Sequence, residues 1–157
     1  MSNVDHPSHY NQFDIEVIRL ARHLPFDAGN FLKYVMRAPY KGEMLEDLQK
    51  ALWYARDFTN HLKSKNIYYV QLKRYEKLSY RARYFVVTIR TQLDIPESQN
   101  FAKLFELIFD NSIANKKDFA QRLVPTENYM RQKLNEVIDC INAGLIKYKN
   151  ENQGAGC

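Results

Sequence analysis

The chain has 157 residues, 45% of them hydrophobic, and a formal net charge of +5. That is enough apolar material for one packed domain, or one domain with a helical appendage, and it excludes a disordered tail. No stretch approaches about eighteen consecutive apolar residues, and the polar start MSNVDHPSHY lacks a secretory signal, so neither membrane insertion nor export from the cytoplasm is expected.

The two cysteines, Cys140 and Cys157, are far from any CxxC spacing and are expected to be reduced. Charge is unevenly placed. Residues 1–62 carry seven Lys/Arg against eight Asp/Glu, whereas residues 63–157 carry sixteen against ten, so any basic surface belongs to the second part.

In chain order, residues 1–13 show no period and read as an ordered arm leading to Asp14 as a helix cap. From Asp14 to His23 the positions Val17, Ile18, Leu20, Ala21 and Leu24 share one side of a short amphipathic helix, with Glu16, Arg19 and His23 opposite. Pro25 breaks it, and Asp27 is placed to cap a second helix to Ala38 whose apolar side is Ala28, Phe31, Leu32, Val35 and Met36. After the turn Pro39-Tyr40-Lys41-Gly42, a third helix is expected from about Glu43 to Lys63.

A long fourth helix is expected from about Ile67 to Gln92, kinked near residues 64–66 before it and ended by Leu93-Asp94-Ile95-Pro96. Three further helices are expected over residues 97–113, 116–123 and 126–143, with Gly144 as a helix stop and residues 150–157 as a frayed tail. No strictly alternating run occurs, so the expected fold class is all-α, with about seven helices and no sheet. The domain reading is an arm at 1–13, a helical domain at 14–63 and a basic helical region at 64–149.

One ordered set of motifs stands out: HPSHY at His6 to Tyr10, Ile15-Glu16, GNFLKYVMRA at Gly29 to Ala38, Lys41-Gly42, and LEDLQKALWY at Leu45 to Tyr54. This set resembles a family of small phage proteins of formerly unknown function that includes a coliphage deoxynucleoside monophosphate kinase. The likeness covers about residues 5–62. It implies a helical nucleotide-binding domain acting in the host cytoplasm, in which His9, Glu16, Lys33, Arg37 and Asp47 serve catalysis and Tyr10, Asn30, Tyr34, Lys41, Lys50 and Tyr54 contact the nucleotide. It also implies a magnesium ion accompanying the nucleotide, with no tightly bound metal or organic cofactor. Many relatives follow the Arg-Ala pair with glycine and lysine, whereas this chain has Pro39 and Tyr40, a stiffer turn with one fewer cation.

The residues themselves are compatible with phosphate chemistry. Asn30, Lys33 and Arg37 recur at i, i+3 and i+7 and so project three donors from one helix face. Lys33 and Arg37 are read as solvated cations able to share one anion, whose removal would leave melting nearly unchanged. Glu16, Glu46 and Asp47 are candidates for accepting a proton or supporting a magnesium ion, although a helix-surface pair such as Glu46 with Lys50 is the simpler reading. His6 and His9, with no third nitrogen or sulfur ligand nearby, do not make a metal site. No GxxxxGK[ST] occurs, so any kinase activity uses a scaffold other than a P-loop.

Gly29, early in a helix, indicates close approach by another backbone or a ligand. Trp53 falls off the leucine face and must cover a base, another helix or a second subunit. With the tyrosine-rich fourth helix, it leads to the expectation of a homo-oligomer. On that fourth helix Lys73, Lys77, Tyr80, Arg81 and Tyr84 share a stripe, opposite Tyr68, Leu72, Tyr75, Leu78, Phe85, Val86 and Ile89. Lys73, Lys77 and Arg81 are therefore candidates for meeting nucleic acid, an anionic ligand or an acidic host protein. Three functions stay open: a nucleotide kinase-like enzyme, a non-catalytic binder of a nucleotide or nucleotide-derived host signal, and an interaction module.

Overall fold

The computed structural model describes residues 12–62, 72–113 and 127–154. Among them every regular element is helical: α1 Ile18–Ala21, α2 Phe26–Arg37, α3 Met44–Asn60, α4 Leu72–Thr91, α5 Ser98–Ile113 and α6 Glu127–Gly154, with a 3-10 turn at Ala38–Tyr40 between α2 and α3. The all-α expectation is borne out. The arm carrying His9 and Tyr10, the region of the expected kink, Tyr68 and the expected helix 116–123 lie outside the described residues. No helix among the described residues is long and apolar enough to cross a membrane.

The α2–α3 pair is the centre of the fold because both helices carry a clean apolar face. Ala28, Phe31, Leu32, Val35 and Met36 of α2 are fully buried, as are Leu48, Ala51, Ala55 and Phe58 of α3. Phe31 then meets Phe101 and Phe105 of α5, each with ring centroids 6.3 Å away. Helix α6 packs across α3 and α5, and α4 packs on α5. Burying a Phe or Leu side chain contributes about 1.5–3 kcal/mol, so this interior rather than helix propensity holds the bundle together.

Several sequence expectations are corrected. The helix expected from Asp14 is a single turn at Ile18–Ala21, and Val17 rather than Asp14 precedes it. The reason is tertiary: the Asp14 N–H donates to Tyr84 Oη at 3.0 Å, which ties this backbone to α4 instead of to a helix. Tyr84 accordingly leaves the basic stripe and packs, half-buried, against the core. Asp27 does not cap α2, which starts one residue earlier after the extended Pro25; Asp27 is buried in the first turn, its Oδ1 accepting from the Ala28 N–H at 2.9 Å.

Gly144 is not a stop. Helix α6 runs through it to Gly154, so residues 150–154 are helical rather than frayed. A Cβ at Gly144 would lie 2.2 Å from Glu97 Cγ, and close passage of that side chain explains the glycine. Gly29 answers the same kind of need: a Cβ there would lie 3.0 Å from the Ala21 carbonyl oxygen, so its absence lets α1 and α2 touch backbone to side.

Candidate functional site

The polar side of α2 is half-buried rather than freely solvated. Asn30 donates through Nδ2 to the Phe26 carbonyl at 2.8 Å and accepts from Lys33 Nζ at 2.7 Å. Lys33 Nζ also lies 4.5 Å from the centroid of the Tyr34 ring. Its amine is held below the ordinary lysine range, chiefly by burial and then by the neighbouring Arg37 charge, with Asp47 pulling the other way and Lys41 adding to the lowering.

Arg37 corrects the expectation of a free phosphate fork. Its Nε donates to Asp47 Oδ2 and its Nη2 to Asp47 Oδ1, both at 2.7 Å. The Asp47 side chain is 2% exposed and that of Arg37 11%. The planar guanidinium and carboxylate thus form a bidentate pair tying the end of α2 to the first turn of α3. These two expected catalytic residues are together, and they engage each other.

Around this pair lies a cluster of rings. Tyr34 stacks on Tyr54 with centroids 5.6 Å apart and planes 16° from parallel. Phe26 meets Tyr54 edge-on at 5.9 Å, and Trp53 does so at 5.0 Å and 88°. Phe26 is 78% exposed and Trp53 61% exposed, a wet aromatic surface at the junction of α2 and α3. Arg37 Cζ sits 4.5 Å and Lys50 Nζ 5.9 Å from the Tyr34 centroid, so cations border the rings. Lys50 is ion-paired with Glu46 one turn earlier, which pushes its amine above the ordinary lysine range.

Of the residues anticipated from sequence, Asn30, Lys33, Tyr34, Arg37, Asp47, Lys50 and Tyr54 therefore come together. Lys41 is exposed in the turn beside Gly42, whose φ of 85° suits glycine. Glu16 does not join them: it pairs with Arg19 at 3.4 Å and lines a separate groove between the α1 region and α4. His9 and Tyr10 lie outside the described residues. Phe26 was missed by sequence reading. The available signal was a large ring directly after Pro25 and off the apolar period of α2.

Among the described residues no three His, Cys, Asp or Glu side chains come together as metal ligands. The nearby carboxylates of Asp47 and Glu46 are engaged by Arg37 and Lys50. This donor set does not fit a resident magnesium site.

Comparison with known proteins agrees with the resemblance at this end of the chain. Residues 4–56 match the model of a family described as a protein of unknown function, DUF3310. The gene 1.7 protein of Enterobacteria phage T3 is 41% identical over 71 residues, a match covering 38% of this chain and 44% of that protein. The chain thus spans less than half the length of this curated relative. No solved structure matches the chain.

Proposed function

We propose, from the phage-family character of residues 4–56, that this protein binds nucleotides at the junction of α2 and α3 and acts there as a nucleoside monophosphate kinase-like phosphotransferase. The observation that carries the reading is the pair of exposed rings, Phe26 and Trp53, set against half-buried Tyr54 and bordered by the amines of Lys33 and Lys50. A base stacks on rings of this kind with about 1–3 kcal/mol per base. Its phosphate then meets the two ammonium groups, to which charge-assisted bonds each contribute about 1.5–3 kcal/mol.

In the transfer, a phosphate oxygen of the acceptor monophosphate attacks the terminal phosphorus of a donor triphosphate. The new P–O bond forms as the bond to the donor diphosphate breaks, giving two diphosphates. Lys33 and Lys50 hold the negative charge. The Arg37–Asp47 pair acts as a positioning element that fixes α2 against α3, so that the amines and rings face one ligand. Magnesium, where required, comes with the phosphates of the nucleotide.

A second reading, binding without turnover, is favoured by the mutual engagement of Arg37 and Asp47, which leaves the amines as the principal phosphate contacts. Incubating the purified chain with deoxynucleoside monophosphates and triphosphates, then resolving products and retained ligand, separates the two. Diphosphate products support the kinase, retained unchanged nucleotide supports the binder, and neither product nor retention overturns both.

A further inference from the structure

A second site lies between the α1 region and α4, sharing no residue with the aromatic surface. It is a groove of about 560 Å³, within the usual range for small-molecule sites, lined by Arg19, Arg22, His23, Arg74, Lys77 and Arg81, with Glu16 at one edge and Leu78 behind. Sequence reading saw Lys77 and Arg81 as part of a stripe along one helix. The fold instead turns them toward Arg19, Arg22 and His23 of the α1 region, so that with Arg74 five cations converge on one groove.

Among the described residues, the hydrogen bonds of Arg22, Arg74 and Arg81 leave their charge uncompensated. Arg81 Nη1 donates to the Arg19 carbonyl at 2.7 Å, Arg22 Nε to the Ile18 carbonyl at 3.1 Å, and Arg74 Nη2 to His23 Nδ1 at 2.7 Å. All three acceptors are neutral. Burial and then Arg74, Arg81 and Arg22 hold the His23 imidazole below its ordinary value, which favours the neutral ring that accepts from Arg74. Among the described residues only Arg19 of the five cations has a carboxylate partner, Glu16. Like charges gathered this closely repel, and an anion with several linked charges relieves that repulsion more fully than scattered counter-ions do.

We infer that this groove binds a compact chain of linked phosphates, either free or as the polyphosphate end of a nucleotide. Guanidinium groups fixed by carbonyl and imidazole acceptors are pre-organised forks for phosphate oxygens. Among the described residues the lining has no Phe, Tyr or Trp ring, and the one aromatic ring, His23, is held by Arg74, which favours recognition of phosphate over recognition of bases along a nucleic-acid strand. The inference stands independently of the nucleotide surface at α2 and α3.

The test is calorimetric titration of the full chain with inorganic tripolyphosphate, orthophosphate, a nucleoside triphosphate and a single-stranded oligonucleotide. Tripolyphosphate should bind well above orthophosphate. Lys77→Gln, at an exposed position, and Arg74→Gln should each weaken it roughly tenfold or more, while Lys147→Gln, on the exposed end of α6, leaves it unchanged. The His23 ring resonances should shift on saturation. A nucleoside triphosphate that binds more tightly than tripolyphosphate and loses that affinity in Lys77→Gln and Arg74→Gln identifies a nucleotide as the source of the phosphates; equal affinity at the groove identifies the phosphate chain alone. Absence of binding with no His23 shift, wild-type affinity in both variants at unchanged helicity, or an oligonucleotide that binds far tighter and is lost in the same variants overturns the inference.

Discussion

The Arg37 guanidinium reaches across from the last turn of α2 and places two parallel N–H donors on the two oxygens of the buried Asp47 carboxylate. Removing one partner strands the other. Arg37→Ala should therefore lower unfolding stability by roughly 3–5 kcal/mol, read as a reduced urea midpoint, rather than leave melting unchanged as a solvated cation would. Arg37→Lys should recover only part of the loss, since an ammonium cannot reproduce the fork. A melting curve for Arg37→Ala that overlays the parent would contradict the buried-pair account.

Lys33 and Lys50 should behave in the opposite way. Neither amine holds two elements together, so Lys33→Ala and Lys50→Ala should leave the urea midpoint nearly unchanged while weakening nucleotide binding roughly tenfold. Trp53 is the single tryptophan of the chain and half-open to water, so its fluorescence reports on the surface directly. Nucleotide addition should change its emission in the parent and do so only at much higher concentration in the two lysine variants. A saturating ligand that leaves Trp53 emission unmoved would place the base elsewhere.

Gly29→Ala tests the contact between α1 and α2. Alanine in a helix interior ordinarily gains about 1 kcal/mol over glycine. Here its methyl group meets the Ala21 carbonyl oxygen at 3.0 Å, so that gain should be cancelled, and the bulkier Gly29→Val should be clearly destabilising. Thermal melts of both variants decide it; a Gly29→Ala protein more stable by the full propensity increment would show that α1 yields freely.

His23 gives a pH signature. Its folded-state value lies below the ordinary 6.5 because of burial and the charges of Arg74, Arg81 and Arg22. Lys77, Arg19 and Glu16 are the other charged groups lining its groove among the described residues. The unfolded chain thus binds the proton more readily, and the sign follows: the contribution is fully present above about pH 6.5 and is lost as pH falls toward the folded value. Denaturation midpoints measured across that window should fall more steeply for the parent than for His23→Gln. Identical slopes would remove His23 from the account.

Much of the fold was legible because a 3.6-residue period states which side of a helix is buried. Phe31, Leu32, Val35 and Met36 were placed by it, as was the gathering of Asn30, Lys33 and Tyr34 on the other side. The period does not say which polar groups meet across helices. The pairing of Arg37 with Asp47, ten residues away, and the Arg131 donation to the Thr59 carbonyl at 2.6 Å depend on tertiary approach. Glycine was ambiguous for a related reason: Gly144 gave the same letter for a helix end and for close passage of Glu97, and only the neighbour decides. Glu16 was grouped with Lys33 by motif order, yet space assigns it to the groove between α1 and α4.

Because α6 passes uninterrupted through Gly144, it outlasts the body it packs on. Leu145 is its last buried residue, and the turns from Ile146 to Gly154 extend the rod by roughly 13 Å at 1.5 Å per residue. A spin label or dye coupled at Asn152 would therefore ride on a stiff lever rather than on a floppy tether. Its distance to a second label on α3 would serve as a ruler for any tilting of the bundle.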